Sequence, residues 1–579
     1  MEKDVVTPGT ETQEASQDCA QAVSQEDCAP DVATAVFPDQ PQDVQSQDVQ
    51  PDEQSDDQSA IRPDVRQDIS WGLPPEFPID PFAGDFTGQC GGRFTSEGRK
   101  WTFACVTFGC KVNQYETQAI REAWTAAGGW EVDNPAQAEL ILVNSCAITG
   151  KAERDARNAL VRLRREVCWA VLVLTGCAAR LVAGFVPRKD AQKPEADCIV
   201  VQEEKQALCD PLVIEDLVHR IYRPEGGESS PSSASAPSAA QQVPAAHWKD
   251  LRDRAYPDLR ITTYRRVRPV LKVQDGCSHR CTYCIVPSTR GPHVSRDPAA
   301  VLAEADRLLE QHAELMISGV NLGQYGRDNP SCGSFWTLLD RLEDALGLKY
   351  AGRRRLRISS LEPSQLTEEG CRILSRSQLV APHLHISLQH ASRAVLRRMG
   401  RGHYTAETLT EALYRLKDAW PDMGLGADIL VGFPGETWED IDILCRFIEN
   451  TPFTYAHVFP YSRRPGTPAA SFSDQIPRRE KAERAARVRS VVAQKARAFW
   501  KRRVQDEPDL FLAADAGEGH ILKGYIHAVD ACYTPCFIPC EELEAAQERV
   551  EGAGHSEFVR ARPVQTCSHG VVVELVPTR

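Results

Sequence analysis

Apolar positions in residues 100–222 alternate between two periods. Trp101–Thr107, Leu140–Asn144 and Ala170–Leu174 are short apolar runs of strand length. Gln114–Ala127 and Lys151–Glu166 instead carry their apolar residues at helical spacing. Strand, helix and strand joined by short links predict a parallel sheet with right-handed crossovers. Residues 255–475 alternate again, with strands expected at Val270–Gln274, Leu315–Gly319, Leu356–Ser359, His385–Leu388, Ala427–Val431 and His457–Pro460. Six strands with helices between them predict a partial β/α barrel, whose chemistry would sit at the C-terminal strand ends. In residues 477–503, Ala485, Val488, Val492 and Phe499 recur at helical spacing among many Arg and Lys, an amphipathic helix with a basic face. Residues 507–579 give five short β-type runs, at Leu510–Ala513, His520–Tyr525, Tyr533–Ile538, Phe558–Pro563 and Gly570–Val576, which suggest a small β-barrel. The fold class is α/β: a parallel N-terminal domain, a partial β/α barrel and a small C-terminal β-barrel.

Two stretches have no period. Residues 1–95 are rich in Asp, Gln, Ser and Pro and cannot bury enough apolar surface to offset ordering entropy, so they read as a disordered acidic tail. Residues 223–250 form a Ser/Pro/Ala linker between two folded domains. The tail changes the meaning of the net charge of −14. Residues 1–70 hold 17 Asp and Glu against 3 Lys and Arg, which is the entire excess. The rest of the chain is neutral with local basic runs, so the acidity does not argue against an RNA partner.

Twenty Cys in a chain of 579 residues change the picture further. The start MEKDVV is not a charged-then-apolar leader, and no apolar run is long enough to span a bilayer. The expectation is a cytoplasmic protein whose clustered Cys serve metal or redox chemistry rather than disulfides. The stretch 270–291, VLKVQDGCSHRCTYCIVPSTRG, places Cys277, Cys281 and Cys284 in one loop after a strand. Three thiolates at this spacing can each take one iron of a 4Fe–4S cluster, leaving the fourth open to a chelating molecule. A zinc site with His279 or His293 as fourth ligand is the alternative. Cys110, Cys146 and Cys177 each follow a predicted strand. The C-terminal ends of parallel strands share one edge, so the topology can bring the three together. Cys105, Cys168, Cys198 and Cys209 lack that placement and read as core or surface thiols, and Cys19, Cys28 and Cys90 as free thiols. Cys532, Cys536 and Cys540 have no obvious fourth ligand and read as buried or free thiols rather than a metal site.

The loop, with Tyr283 between its second and third Cys, resembles the cluster loop of the radical S-adenosylmethionine (radical SAM) enzymes. Upstream, TFGCKVNQYET (107–117), NSCAIT (144–149) and TGCAA (175–179) resemble the methylthiotransferases of that family. GCKVNQYE is most similar to the branch acting on threonylcarbamoyladenosine in tRNA. SGVNLGQYG (318–326), SSLEPS (359–364), SLQHAS (387–392), VGFPGET (431–437) and FPYSRRPGT (459–467) resemble the corresponding segments at the strand ends. The resemblance covers about residue 100 to the C-terminus. It implies two 4Fe–4S clusters, one on Cys277, Cys281 and Cys284 and one on Cys110, Cys146 and Cys177. It also implies SAM as cofactor, held near Tyr283, Gly319, Glu362 and Gln389, although Glu362 and Gln389 could equally make structural hydrogen bonds. Gly432, Pro434 and Gly435 are as readily turn formers as SAM contacts.

The implied reaction is radical methylthiolation of N6-threonylcarbamoyladenosine at the tRNA position 3′ of the anticodon. An electron donor of flavodoxin type is implied as a partner. The C-terminal barrel resembles the TRAM domain, an RNA-binding appendage. The basic helix, the run Arg353–Arg355 and the group Arg397, Arg398, Arg401 and His403 are candidate phosphate contacts, or simply solvated. The rival readings are a sister enzyme acting on isopentenyladenosine or on a ribosomal-protein aspartate, another radical SAM reaction, and a non-catalytic iron–sulfur or zinc RNA-binding protein.

Overall fold

Two strands made entirely of buried residues set the N-terminal sheet: β3 (Leu140–Ser145) and β4 (Val171–Gly176). Covered on both faces, they read as continuous apolar runs rather than alternating ones. With β1 (Thr102–Thr107), β2 (Trp130–Glu131) and β5 (Cys198–Ile199) they form a parallel sheet of order β2-β1-β3-β4-β5. Helices α1 (Lys111–Ala126), α2 (Gly150–Glu166), α3 (Cys177–Val182) and α4 (Pro211–Tyr222) complete the domain. The two-residue edge strands are too short to show a period. Cys198, read as a core or surface thiol, opens β5 and packs in the core.

The computed structural model describes residues 101–182, 196–222, 256–514, 524–540 and 557–576. The expected acidic tail, with Cys19, Cys28 and Cys90, and the expected linker 223–250 lie outside the described residues. Everything described belongs to one compact unit, residues 68–579.

All six strands expected in the second domain are present, but as two sheets. One has the order β7-β6-β8-β9, from β6 (Val270–Asp275), β7 (Val294–Ser295), β8 (Glu314–Gly319) and β9 (Arg355–Ile358). The other is β10 (His383–Gln389), β11 (Gly424–Val431) and β12 (His457–Pro460). Parallel bridges Leu356–Val380 and Leu361–Ile386 join them. β7 is an antiparallel edge that the sequence pattern did not show. Helices α5 (Val286–Arg290), α6 (Pro298–Gln311), α7 (Phe335–Tyr350), α8 (Glu368–Arg376), α9 (Arg393–Arg398), α10 (Ala406–Ala419) and α11 (Trp438–Asn450) make the crossovers. Reciprocal caps at Ser334, Thr405 and Thr437 start α7, α10 and α11.

Helix α12 (Arg478–Asp506) leads to a closed five-stranded barrel, β13 (Leu510–Ala514), β14 (Tyr525–Val529), β15 (Pro535–Pro539), β17 (Val571–Leu575) and β16 (Val559–Thr566) in that order around it. The strand expected at His520–Tyr525 lies later, at Tyr525–Val529, and residues 515–523 are outside the described residues. This barrel docks on the floor of the larger one, at the N-terminal strand ends. Glu314 at the start of β8 is paired with Arg355 and Arg357 of β9. The same arginines donate to backbone carbonyls of the small barrel, Arg355 to Phe511 at 2.8 Å and Arg357 to Asp530 at 2.9 Å. Gly424 admits the approach, since a Cβ there would lie 1.7 Å from the Cys532 carbonyl oxygen. Helix α12 is pinned at both ends by buried ion pairs, Arg484–Glu436 at 2.9 Å and Arg503–Asp530 at 2.6 Å. Among the described residues, no helix is long and apolar enough to cross a membrane.

Candidate active site

Cys110, Cys146 and Cys177 converge as the strand-end argument requires. Cys110 caps α1 just after β1, Cys146 follows β3 directly, and Cys177 opens α3 directly after β4. Burial, and then the neighbouring thiols Cys177 and Cys110, push the Cys146 thiol above its ordinary value. That mutual effect requires the three sulfurs to be close. Gly109 makes room for them: its φ is +95°, and a Cβ there would sit 2.6 Å from the Cys146 sulfur. The sulfurs also face donors. The backbone N–H groups of Asn113 and Ile148 bond Cys110 and Cys146, and Arg290 Nε lies 3.2 Å from Cys177 Sγ. All described Cys are free of disulfides. Thiols gathered under N–H donors fit a cluster whose iron takes the place of the protons.

The second triplet is held by one turn of loop. Cys284 N–H donates to the Cys281 carbonyl at 3.1 Å, and Cys277 N–H to Gly291 at 3.0 Å. The Cys277 sulfur faces Asn321 Nδ2 at 3.8 Å and Gln324 Nε2 at 3.6 Å, and the Cys281 sulfur faces Arg401 Nη1 at 3.7 Å. Cys284 is pushed up to about 12, first by burial and then by Cys281 and Cys277. Of the two histidines named as a fourth zinc ligand, His293 bonds Ser278 Oγ through its Nδ1 at 2.6 Å. His279 turns to Glu362, 3.3 Å away.

A buried ionic network joins the two triplets. Arg290, six residues after Cys284, directs its Nη1 to Glu116 and Asp275 at 3.0 and 2.8 Å and its Nη2 to Asn113 at 2.6 Å. Lys205 and Lys272 reach Glu116 at 2.5 and 2.7 Å. Burial opposes the Glu116 charge, but Arg290, Lys205 and Lys272 outweigh it and hold the carboxyl below its usual range. Three cations here face two carboxylates, so the surplus positive charge lies beside Cys177. Sequence reading missed Arg290, Glu116 and Lys205 as site residues and took Arg401 for a phosphate contact. The available signal was Lys272, a charged residue in the middle of an apolar strand.

The candidates for holding SAM divide. Glu362 lies at the barrel mouth, bonded by Arg401 at 3.0 Å and His279. Burial works against its ionisation, yet these cations bring it down to about 2, so it is a fixed anion. Gly319 ends β8, and a Cβ there would press to 3.0 Å on Gln274 and Leu322. Gln389 ends β10 with φ +60°, a strained conformation for a residue with a side chain, and makes no side-chain hydrogen bond among the described residues. Tyr283 turns its ring into an apolar cluster, 6.5 Å from Phe433.

Some expected phosphate contacts are engaged elsewhere. Arg355 is in the floor network, Arg398 pairs with Asp474 at 2.5 Å, and Arg401 serves Glu362. On α12, Arg487 pairs with Asp442, Arg489 donates to Val458 and Lys495 to Thr451. Cys532 and Cys536 lie in the core of the small barrel.

The profile of the Radical SAM superfamily matches residues 271–448, and that of Uncharacterized protein family UPF0004 matches residues 102–200. The chain is 34% identical over 400 residues to the threonylcarbamoyladenosine tRNA methylthiotransferase MtaB of Bacillus subtilis, covering 69% of this chain and 82% of that one. To the MtaB of Thermotoga maritima it is 30% identical over 486 residues, covering 83% and 99%. To the tRNA-2-methylthio-N(6)-dimethylallyladenosine synthase of Thermus thermophilus it is 29% identical over 511 residues, covering 85% and 96%. With two Cys triplets at strand ends and these similarities over most of its length, the chain belongs to the radical SAM methylthiotransferase family and is of MtaB type.

Proposed function

We propose that this chain converts N6-threonylcarbamoyladenosine to 2-methylthio-N6-threonylcarbamoyladenosine at the position 3′ of the anticodon. The observation that supports it most is the pairing of two Cys triplets through one buried network, in a chain similar to MtaB-type enzymes over most of its length. On this reading Cys277, Cys281 and Cys284 hold one 4Fe–4S cluster and Cys110, Cys146 and Cys177 the other. When bound, the clusters and SAM supply radical abstraction at an unactivated carbon and the sulfur and methyl of the new group, chemistry beyond any side chain.

The residues of the chain bind, orient and enclose. Asn321, Gln324 and Arg401 direct N–H groups at the Cys277 and Cys281 sulfurs, which fixes their orientation. Gly319, Tyr283, Glu362 and Gln389 form the place for SAM, with Glu362 as the fixed anion. Arg290 holds Cys177 in register with the loop that carries the other triplet. Ala147, Ala178, Leu181 and Ile285 pack around Cys177 and keep water out of the seam. Residues 507–579 and the free part of the basic helix serve tRNA docking, a flavodoxin-type donor supplies electrons, and the protein works in the cytoplasm.

The test is to give anaerobically reconstituted protein, SAM and reductant either of two tRNAs, one bearing threonylcarbamoyladenosine and one isopentenyladenosine. Mass spectrometry of the nucleosides should show methylthiolation of the first. Methylthiolation of the isopentenyl tRNA alone would overturn the assignment.

A further inference from the structure

The lumen of the larger barrel, below its mouth, holds a cationic polar chamber that the reading so far leaves without a role. Period-two alternation puts His383 and His385 on one face of β10, at its N-terminal end, and the ladder with β11 slips by one residue between Ile386 and Gln389. His383 Nε2 and His385 Nδ1 share the Tyr455 hydroxyl at 2.8 and 3.0 Å. Tyr533, from the β14–β15 hairpin of the small barrel, closes the floor with φ +63°. Its ring lies 4.7 Å from that of His383 and 5.6 Å from that of Tyr455. Arg357 and Arg268 stand over it at 5.0 and 5.7 Å. Asp428, on the central strand of its sheet, keeps 31% of its side chain accessible.

Two atoms there lack partners. Arg268 Nη1 and His383 Nδ1 are buried and make no hydrogen bond among the described residues, and His383 is 3% exposed. An unpaired buried polar atom is costly, and a bound ligand removes the cost. The charge says which ligand. Burial alone would raise the Tyr533 hydroxyl, yet Arg268, Lys111 and Arg357 outweigh it and bring it below its ordinary value. Arg357, Lys111 and Arg268 likewise add to burial in keeping His383 neutral. The opposing acids are already engaged, Glu314 by two arginines and Asp428 by His385 at 3.1 Å. His385, Asp428 and His457 have ligand atoms within 4.8 Å of one another, but three surrounding cations disfavour a metal ion there and favour an anion.

Lys111 directly follows Cys110, so the chamber borders the upstream triplet. We propose that this chamber, through Arg268, Lys111 and His383, binds the carboxylate of the threonylcarbamoyl group and so selects the modified base. The inference rests on the threonylcarbamoyladenosine reading above. It gives the chain a recognition element that a prenylated adenosine could not use.

The experiment measures binding of anticodon stem-loops to the reconstituted full chain. The loops carry adenosine, threonylcarbamoyladenosine, or its carboxamide analogue, which keeps every RNA phosphate. Wild type should prefer the carboxylate loop to the carboxamide loop by about tenfold or more, the scale of a charge-assisted hydrogen bond. Arg268→Gln and His383→Gln should abolish that preference while binding the unmodified loop as wild type does. That last measurement, with iron content, shows that each variant is folded and loaded. Equal weakening of all three loops would mean that Arg268 meets a phosphate, and would overturn the proposal. So would full retention of the preference in both variants, or stoichiometric zinc that His457→Ala removes. A wild type that methylthiolates only isopentenyl loops would fail the assigned function itself, a separate outcome.

Discussion

Arg290 is the residue on which the two halves of the site meet. Its three nitrogens serve Cys177, Glu116, Asp275 and Asn113, all inaccessible to water. Arg290→Lys keeps the charge and loses the planar fork, so it should leave buried acceptors unpaired. Breaking a buried pair costs about 3–5 kcal/mol, which should lower the thermal unfolding midpoint of the anaerobic protein by several degrees. An unchanged midpoint would mean that water enters to replace the fork. The triplets give a second prediction. Cys281→Ala should remove one cluster's iron and abolish SAM cleavage. Cys146→Ala should remove the other's iron, keep uncoupled SAM cleavage and abolish sulfur insertion. Iron analysis and a cleavage assay would check both. The six Cys were legible because three share one loop and three follow strands. Arg290 was in plain view at the end of the same loop but gave no signal, since its partners Cys177, Glu116 and Asn113 lie more than a hundred positions upstream.

At the scale of elements, the strands were legible where they are buried and long, as in β3, β4 and β11. They were not where two residues suffice for an edge, as in β2, β5 and β7. Helix α12 shows a different limit. Its basic composition was visible, but not which bases the barrel takes for itself. Arg484 and Arg503 are buried in ion pairs, whereas Arg479, Arg497 and Lys501 are exposed and fall on one face. If that face meets tRNA, replacing these three with Ala should reduce the salt dependence of binding by about one unit of slope per lost contact. Replacing Arg489 and Lys495 should instead loosen the helix from the barrel. Anisotropy titrations at several salt concentrations would separate the two.

The floor ties strand ends to the small barrel, and Glu314 gives it a pH signature. Burial opposes its charge, but Arg355 and Arg357 outweigh it and hold the carboxyl well below its ordinary 4.5. A depressed carboxyl contributes stability that is complete above the ordinary value and disappears as pH falls toward the folded one. Glu314→Gln should therefore destabilise the protein at pH 7. The difference from wild type should shrink progressively below about pH 4.5. A constant difference in urea unfolding across that range would show that the ion pairs do not carry it.

For the whole molecule, the sequence separated three folded regions from a charged leader. Residues 1–70 carry the entire net charge of −14. Deleting residues 1–95 should leave SAM cleavage unchanged, and any effect on polyanion affinity should be an increase. Loss of solubility or activity would refute this. What composition and period could not convey is how the regions interlock. The contacts that do so are between charged side chains and distant carbonyls, which leave no periodic trace.

The small barrel closing the floor makes it a poor unit of exchange. Arg355, Arg357 and Gly424 are fitted to Phe511, Asp530 and Cys532, and Tyr533 forms the bottom of the inner space. A chimera that swapped residues 507–579 for another RNA-binding domain would not merely change which RNA is held. It would uncork the reaction vessel, letting solvent enter from the side opposite the substrate. In this lineage the RNA-binding end and the catalytic end must change together, one compensating substitution at a time.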